Sequence, residues 1–232
     1  MTDPSDTLRY KGNLCIAGLT AAGKTTHSHL LAGEFGLTYV SASQILLNFM
    51  GVSPIQNRDF WITPAAKAFW KEDQNDRLDE ELSRIEGMRE GCIFDTWAMP
   101  WRRRRPALSI WLESTLESRV LKSIVSHHGE NEFGLGEYAE RIADKDRVIS
   151  SLYRNRYGFE IGVDFTCFDL VIDISSLIAE ASLDAALESI RIAHSIIGPA
   201  AAYYLTGRRR FRDRLQTAAE RHKDLIRKNT IL

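Results

Sequence analysis

Eight consecutive residues, Gly18-Leu19-Thr20-Ala21-Ala22-Gly23-Lys24-Thr25, carry the most specific chemistry in the chain. They match G-x-x-x-x-G-K-[ST] in full. Glycines let the main chain turn so that successive N–H groups aim at anionic oxygens. A helix beginning at Lys24 adds its unpaired N–H groups and positive dipole end to the same field. Lys24 then reaches the outer phosphates of a polyphosphate as a point charge, and Thr25 offers a hydroxyl to Mg²⁺. The cradle comprises Gly18, Thr20, Ala21, Ala22, Gly23, Lys24, Thr25 and Thr26, and its expected ligands are ATP and Mg²⁺. Asp95 ends the apolar run Cys92-Ile93-Phe94. A carboxylate at a strand's carboxyl end can hold Mg²⁺, usually through water, or take a proton from an acceptor hydroxyl. Thr25 and Asp95 are therefore the candidate metal ligands.

These groups need a scaffold, and the pattern of the chain supplies one. Short apolar runs at 13–17, 37–40, 92–94, 108–112 and 168–174 read as buried strands. Between them, 24–35, 41–50, 115–126, 137–157 and 183–197 read as helices. Strands alternating with helices predict a parallel sheet covered on both faces. The expected fold is α/β, a doubly wound five-stranded parallel sheet. Residues 51–87, rich in aromatics and charges, read as a helical insertion, and Pro199 marks the start of an appended basic helical tail over 199–232.

Composition narrows the rest. With 232 residues, 44% hydrophobic and 26% charged, the chain suits one globular domain over 1–198 plus that tail. Three cysteines without close spacing (Cys15, Cys92, Cys167) argue against a disulfide framework or zinc site. The polar N-terminus and the lack of a long apolar run predict no membrane association and a cytoplasmic location. His27 and His29, and the adjacent His127 and His128, do not project to one point and are read as structural or exposed. Net charge is −1 overall, yet Arg208 to Lys228 holds seven Arg and two Lys against three acids. A basic stripe suits nucleic acid, but interrupting acids and the lack of a recognition motif argue against that partner. The tail is instead expected to dock on the core or on a second copy, making a homodimer through it.

With these residues placed, the chain resembles the nucleoside monophosphate kinases, the cytidylate-kinase-like group in particular, over about 13–194. Ser41-Ala42-Ser43-Gln44-Ile45 is similar to their S-A-G-[DE]-I segment. Arg119 and Lys122 stand where the group has a paired Arg-x-x-Arg, Tyr153 to Gly158 resembles Y-x-x-x-Y-G, and Phe168 to Ser175 resembles Y-D-L-V-I-D-T-S. The resemblance implies a P-loop kinase with an acceptor-binding insertion at about 51–87 and a lid at about 126–158. It implies that Arg119 lies beside the nucleotide, and that lid arginines drawn from Arg141, Arg147, Arg154 and Arg156 close over the phosphates. Arg147 and Arg154 are seven apart and share a helix face. Lys24, Asp95, Arg119, Arg147 and Arg154 are the catalytic candidates. Ser41, Gln44, Asp76, Asp79 and Trp97 are the substrate-binding candidates.

The departures bear on the acceptor. Where the group carries arginines that grip the acceptor's phosphate, this chain has Leu46-Leu47 and Trp97. A guanidinium fork is not replaced by Leu or Trp at equal affinity. Either Arg77 or the run Arg102 to Arg105 takes over, or the acceptor is not a nucleoside monophosphate. Two readings follow: a kinase for CMP, dCMP or a modified pyrimidine nucleotide, or a small-molecule O-kinase with Asp95 as general base. In the second, Phe60, Trp61, Phe69, Trp70, Trp97 and Trp101 would stack an acceptor ring.

Overall fold

The structure, a computed structural model, describes residues 12–52, 72–126 and 134–232. Phe60, Trp61, Phe69, Trp70, His127 and His128, named above, lie outside them.

A parallel core forms from β1 (Asn13–Gly18), β2 (Thr38–Ser41), β3 (Cys92–Thr96), β4 (Ala107–Glu113) and β5 (Leu170–Asp173). The spatial order is β2-β3-β1-β4-β5-β6, with β6 (Ile226–Asn229) antiparallel to β5. The chain leaves β1 toward β2 on one side and returns later to β4 on the other. The carboxyl ends of β1 and β3 therefore flank a topological switch point, where ligands of open α/β sheets bind. β1 is buried throughout, as a strand covered on both faces must be. Its alternate residues feed two cores. Leu14 and Ile16 join Leu31, Ile110, Ile172 and Ile197 on one face. Cys15 and Ala17 join Phe94, Trp111, Tyr153 and Phe168 on the other.

The helices are α1 (Lys24–Phe35), α2 (Ala42–Phe49), α3 (Glu72–Met88), α4 (Met99–Arg102), α5 (Leu116–Ser126), α6 (Leu135–Tyr157), α7 (Leu183–Thr206) and α8 (Arg209–Arg221). Among the described residues the sheet has six strands where the sequence suggests five. The extra one is Ile226-Arg227-Lys228-Asn229, too short and polar to announce itself, and it adds an edge to the expected parallel core. Pro199 is not a boundary, because α7 runs through it. Ala200, Ala201, Ala202 and Leu205 beyond it are buried, and a face that packs so closely outweighs one lost main-chain hydrogen bond. The tail is part of the fold in consequence. Leu215 of α8 and Leu225 are buried in the first core, and β6 pairs with β5. Among the described residues no helix is long and apolar enough to cross a membrane.

Candidate active site

The loop between β1 and α1 is shaped by its neighbours. A Cβ on Gly18 would lie 2.7 Å from the Leu112 carbonyl oxygen and 3.2 Å from Ala22 Cβ, so only glycine fits there. Gly23 caps α1 with φ 100°, a conformation that favours glycine, and no side chain caps the helix's first turn. Those amide groups remain directed at the loop's concavity. Ala21 adopts φ 62°, unusual for a residue with a Cβ and the kind of local strain that collects at ligand-binding loops.

Beside this loop lies a cleft of about 270 Å³ lined by Thr20, Ala21, Lys24, Thr25, Tyr39, Ser41, Gln44, Asp95, Trp97 and Lys145, among others. Lys24 is buried and its Nζ donates to the Leu19 carbonyl at 2.8 Å. Burial lowers its pKa, while Asp95 and Asp146 pull the other way. Thr25 Oγ1 donates to Asp95 Oδ2 at 2.6 Å, and the Tyr39 hydroxyl donates to the same oxygen at 3.0 Å. A hydroxyl and a carboxylate so close, at the mouth of a phosphate loop, form a hard oxygen set suited to Mg²⁺, with phosphate and water completing the shell. Among the described residues no group of three or more His, Cys, Asp or Glu could hold a metal by itself. The cleft is also lined by Ser41, whose Oγ accepts from the Gln44 amide at 3.3 Å, and by buried Trp97.

Of the residues picked from sequence, Thr20, Ala21, Lys24, Thr25, Ser41, Gln44, Asp95 and Trp97 meet in this cleft. Gly18, Ala22 and Gly23 shape the loop, and Thr26 sits exposed in the first turn of α1. Arg119 is buried one shell out. Its Nε donates to the Ser114 carbonyl and its Nη1 to the Thr20 carbonyl and to Asp146 Oδ2.

Other picks are not brought there. The inward face of α6 is set by Tyr138, Ile142, Lys145, Asp146, Ile149 and Tyr153. Arg147 is two residues, about 200°, from Lys145 on an α-helix, so it points outward and pairs with Asp144 at 2.6 Å. Arg154, on the same outer face, pairs with Glu160 at 2.9 Å, and Arg141 pairs with Glu137. Asp79 is buried but aims at the end of α6, accepting from the hydroxyls of Tyr157 (2.5 Å) and Tyr153 (3.5 Å) and pairing with Arg102 at 2.7 Å. Burial raises its pKa and these partners resist the rise. Asp76 pairs with Arg156. The proposed stand-in arginines do not line the cleft either. Arg77 lies over the Phe49 ring, Arg103 binds Ser109 under the sheet, and the amides of Arg104 and Arg105 are held by Glu86.

Three residues escaped the sequence reading: Tyr39, Lys145 and Asp146. Lys145 is buried, lines the cleft, and has its Nζ 5.5 Å from the centre of the Trp97 ring. Burial, with help from Lys24, brings its pKa down to about 7 against the opposing pull of Asp146 and Asp95. Spacing from Tyr138 and Ile142 on α6 could have placed Lys145 on the inward face, had the buried side of the helix been known.

No family model matches the chain. It is similar to the cytidylate kinase of Pyrococcus horikoshii, 24% identical over 165 residues that cover 70% of this chain and 79% of that one. It is similar also to the cytidylate kinase of Methanoculleus marisnigri, 27% identical over 160 residues, covering 68% and 83%. Among solved structures, an uncharacterized protein from Eubacterium ventriosum shares the fold with a TM-score of 0.50 at 10% identity, covering 76% of this chain and 95% of that one. A phosphate loop with a carboxylate facing its threonine, on a sheet of this order and with relatives of this kind, makes the chain a P-loop phosphotransferase similar to the cytidylate-kinase-like nucleoside monophosphate kinases.

Proposed function

We propose that the protein transfers the γ-phosphoryl group of ATP, with Mg²⁺, to a nucleoside monophosphate of the cytidine type. One observation carries this reading. Lys24 and the Thr25–Asp95 pair line the same cleft as Ser41, Gln44 and Trp97. Donor phosphate and acceptor would thus share one cleft. The similarity to cytidylate kinases over about 70% of the chain supports the acceptor class.

In this reading the chain acts by positioning and charge neutralisation, without a covalent intermediate. The loop amides and the first turn of α1 hold the polyphosphate. Lys24 moves from the Leu19 carbonyl to the transferring group. Thr25 and Asp95 hold Mg²⁺, which would neutralise charge between the outer phosphates. Ser41, Gln44 and Trp97 orient the acceptor.

A second reading rests on a separate observation: among the described residues no arginine lines the cleft. An acceptor phosphate would then lack the usual fork. Asp95 already accepts hydrogen bonds from two hydroxyls, the contact a general base makes with an alcohol acceptor. The experiment is ADP release from ATP with Mg²⁺ against CMP, dCMP and UMP on one side and cytidine and aminoalcohols on the other. Turnover confined to the nucleotides supports the first reading. Turnover confined to unphosphorylated acceptors replaces it with the second.

A further inference from the structure

The helix α6 meets the phosphate loop through packing of Tyr138 and Ile142 near Ala21 and through one buried carboxylate, Asp146. Asp146 Oδ1 accepts from the Thr20 amide at 2.9 Å, and Oδ2 accepts from Arg119 Nη1. Arg119 closes the triangle by donating to the Thr20 carbonyl at 3.0 Å. Thr20, Arg119 and Asp146 are all buried. A buried carboxylate with both oxygens engaged fixes its own helix as firmly as its partners, because moving it would strand a charged acceptor away from water.

The next residue back along α6 is Lys145. Neighbours on an α-helix are about 100° apart, so fixing Asp146 against the loop also fixes the direction of Lys145. That direction is into the cleft, beside Trp97 and on the same lining as Lys24. At this spot three cationic side chains (Lys24, Lys145, Arg119) meet two carboxylates (Asp95, Asp146). A transferring phosphoryl group, negative and poorly hydrated, is the partner such a surplus suits.

We propose that Asp146 is a positioning residue that straps α6 to the phosphate loop and thereby holds Lys145 over the path of the transferring phosphoryl group. The inference rests on the kinase reading above. Neither Thr20 nor Arg119 has to release Asp146 for transfer to occur; the donors that a polyphosphate would draw away are the Ala22 amide and Lys24 Nζ, which both give to the Leu19 carbonyl. The strap thus works with nucleotide bound rather than against it.

The test uses the full chain and the acceptor turned over fastest in the panel above. Lys145→Met keeps the stem and removes the charge. It is expected to lower kcat about 100-fold, with the KM for ATP changed less than about threefold. Lys145→Arg is expected to recover most of that loss. Asp146→Asn is expected to lower kcat about tenfold, and the double variant to lose less than the product of the two single losses. That coupling is a readout a merely structural role would not produce, and melting curves of each variant separate it from unfolding. If Lys145→Met keeps wild-type kcat, or if the two losses multiply in full, the inference is wrong. If Asp146→Asn binds ATP more tightly and turns over faster, Asp146 is an obstructing anion and the strap is refuted. A wild-type chain that releases no ADP with any acceptor removes the kinase reading itself, and this inference with it.

Discussion

The two halves of the cleft are built differently. On the donor side the loop is shaped mainly by local sequence and main-chain contacts, with Asp95 brought to Thr25 from β3. A glycine is forced at position 18 by the Leu112 carbonyl, α1 opens uncapped, and Lys24 and Thr25 are fixed by the helix they begin. On the acceptor side the walls come from β2, α2, the segment after β3, and α6. Their side chains meet only because the whole sheet and α6 bring them together. The comparison teaches that a short stretch of sequence specifies the donor half, whereas the acceptor half depends on how distant segments pack. Here that half is lined by Trp97 and Lys145, with no arginine among its described residues.

The sharpest test of that contrast is Lys24→Ala. Losing the point charge on the transferring group is expected to lower kcat by at least about 10³-fold while leaving the melting temperature within a few degrees. Near-normal turnover would mean the donor half is not the working end. Asp95→Asn comes next, with a loss of kcat on the order of 10²-fold that excess Mg²⁺ partly restores if the role is metal holding and does not restore if the role is proton acceptance. Trp97→Phe should act on one half alone. The KM for the acceptor is expected to rise about three- to tenfold while the KM for ATP stays put, and a matching change in both would erase the distinction drawn here.

The smallest effect concerns what supports the donor half. His27 on α1 is buried against His194, their rings stacked 5.7 Å apart, and burial followed by His194 and Lys122 depresses its pKa to about 3. An unfolded chain takes up a proton below about pH 6.5 that the folded chain refuses until about pH 3, so stability falls with pH across that window. At about 1.4 kcal/mol per unit, His27 should cost about 2 kcal/mol of stability between pH 6.5 and 5. Denaturant titrations of His27→Leu should show a shallower acid slope than the wild type; equal slopes would assign the acid loss elsewhere.

The same division decides what could be read in the sequence. The loop, its helix and Asp95 were legible because their geometry is local: a fixed spacing, a strand before, a helix after. Arg147 and Arg154 were rightly seen to share a face, but periodicity gives only relative direction. Which face turns inward is decided by Tyr138, Ile142 and Ile149 packing on the rest of the molecule. Asp79 looked like a base-contacting acid, and its partners (Tyr153, Tyr157 and Arg102) lie 20 to 80 residues away. Nothing in its neighbourhood of sequence foretold them. Pro199 read as a stop because proline usually is one. The alanines after it, small enough for close approach to the sheet, carry the helix on.

The antiparallel edge strand has a consequence for how the molecule is made. All the groups that line the cleft lie before Asp146, yet the apolar face under β4 and β5 is not closed until Leu215, Leu225 and β6 dock on it. A chain still emerging from the ribosome, or one cut in the segment 207–222, would hold every described residue that lines the cleft and still present bare hydrophobic surface to chaperones and to other chains.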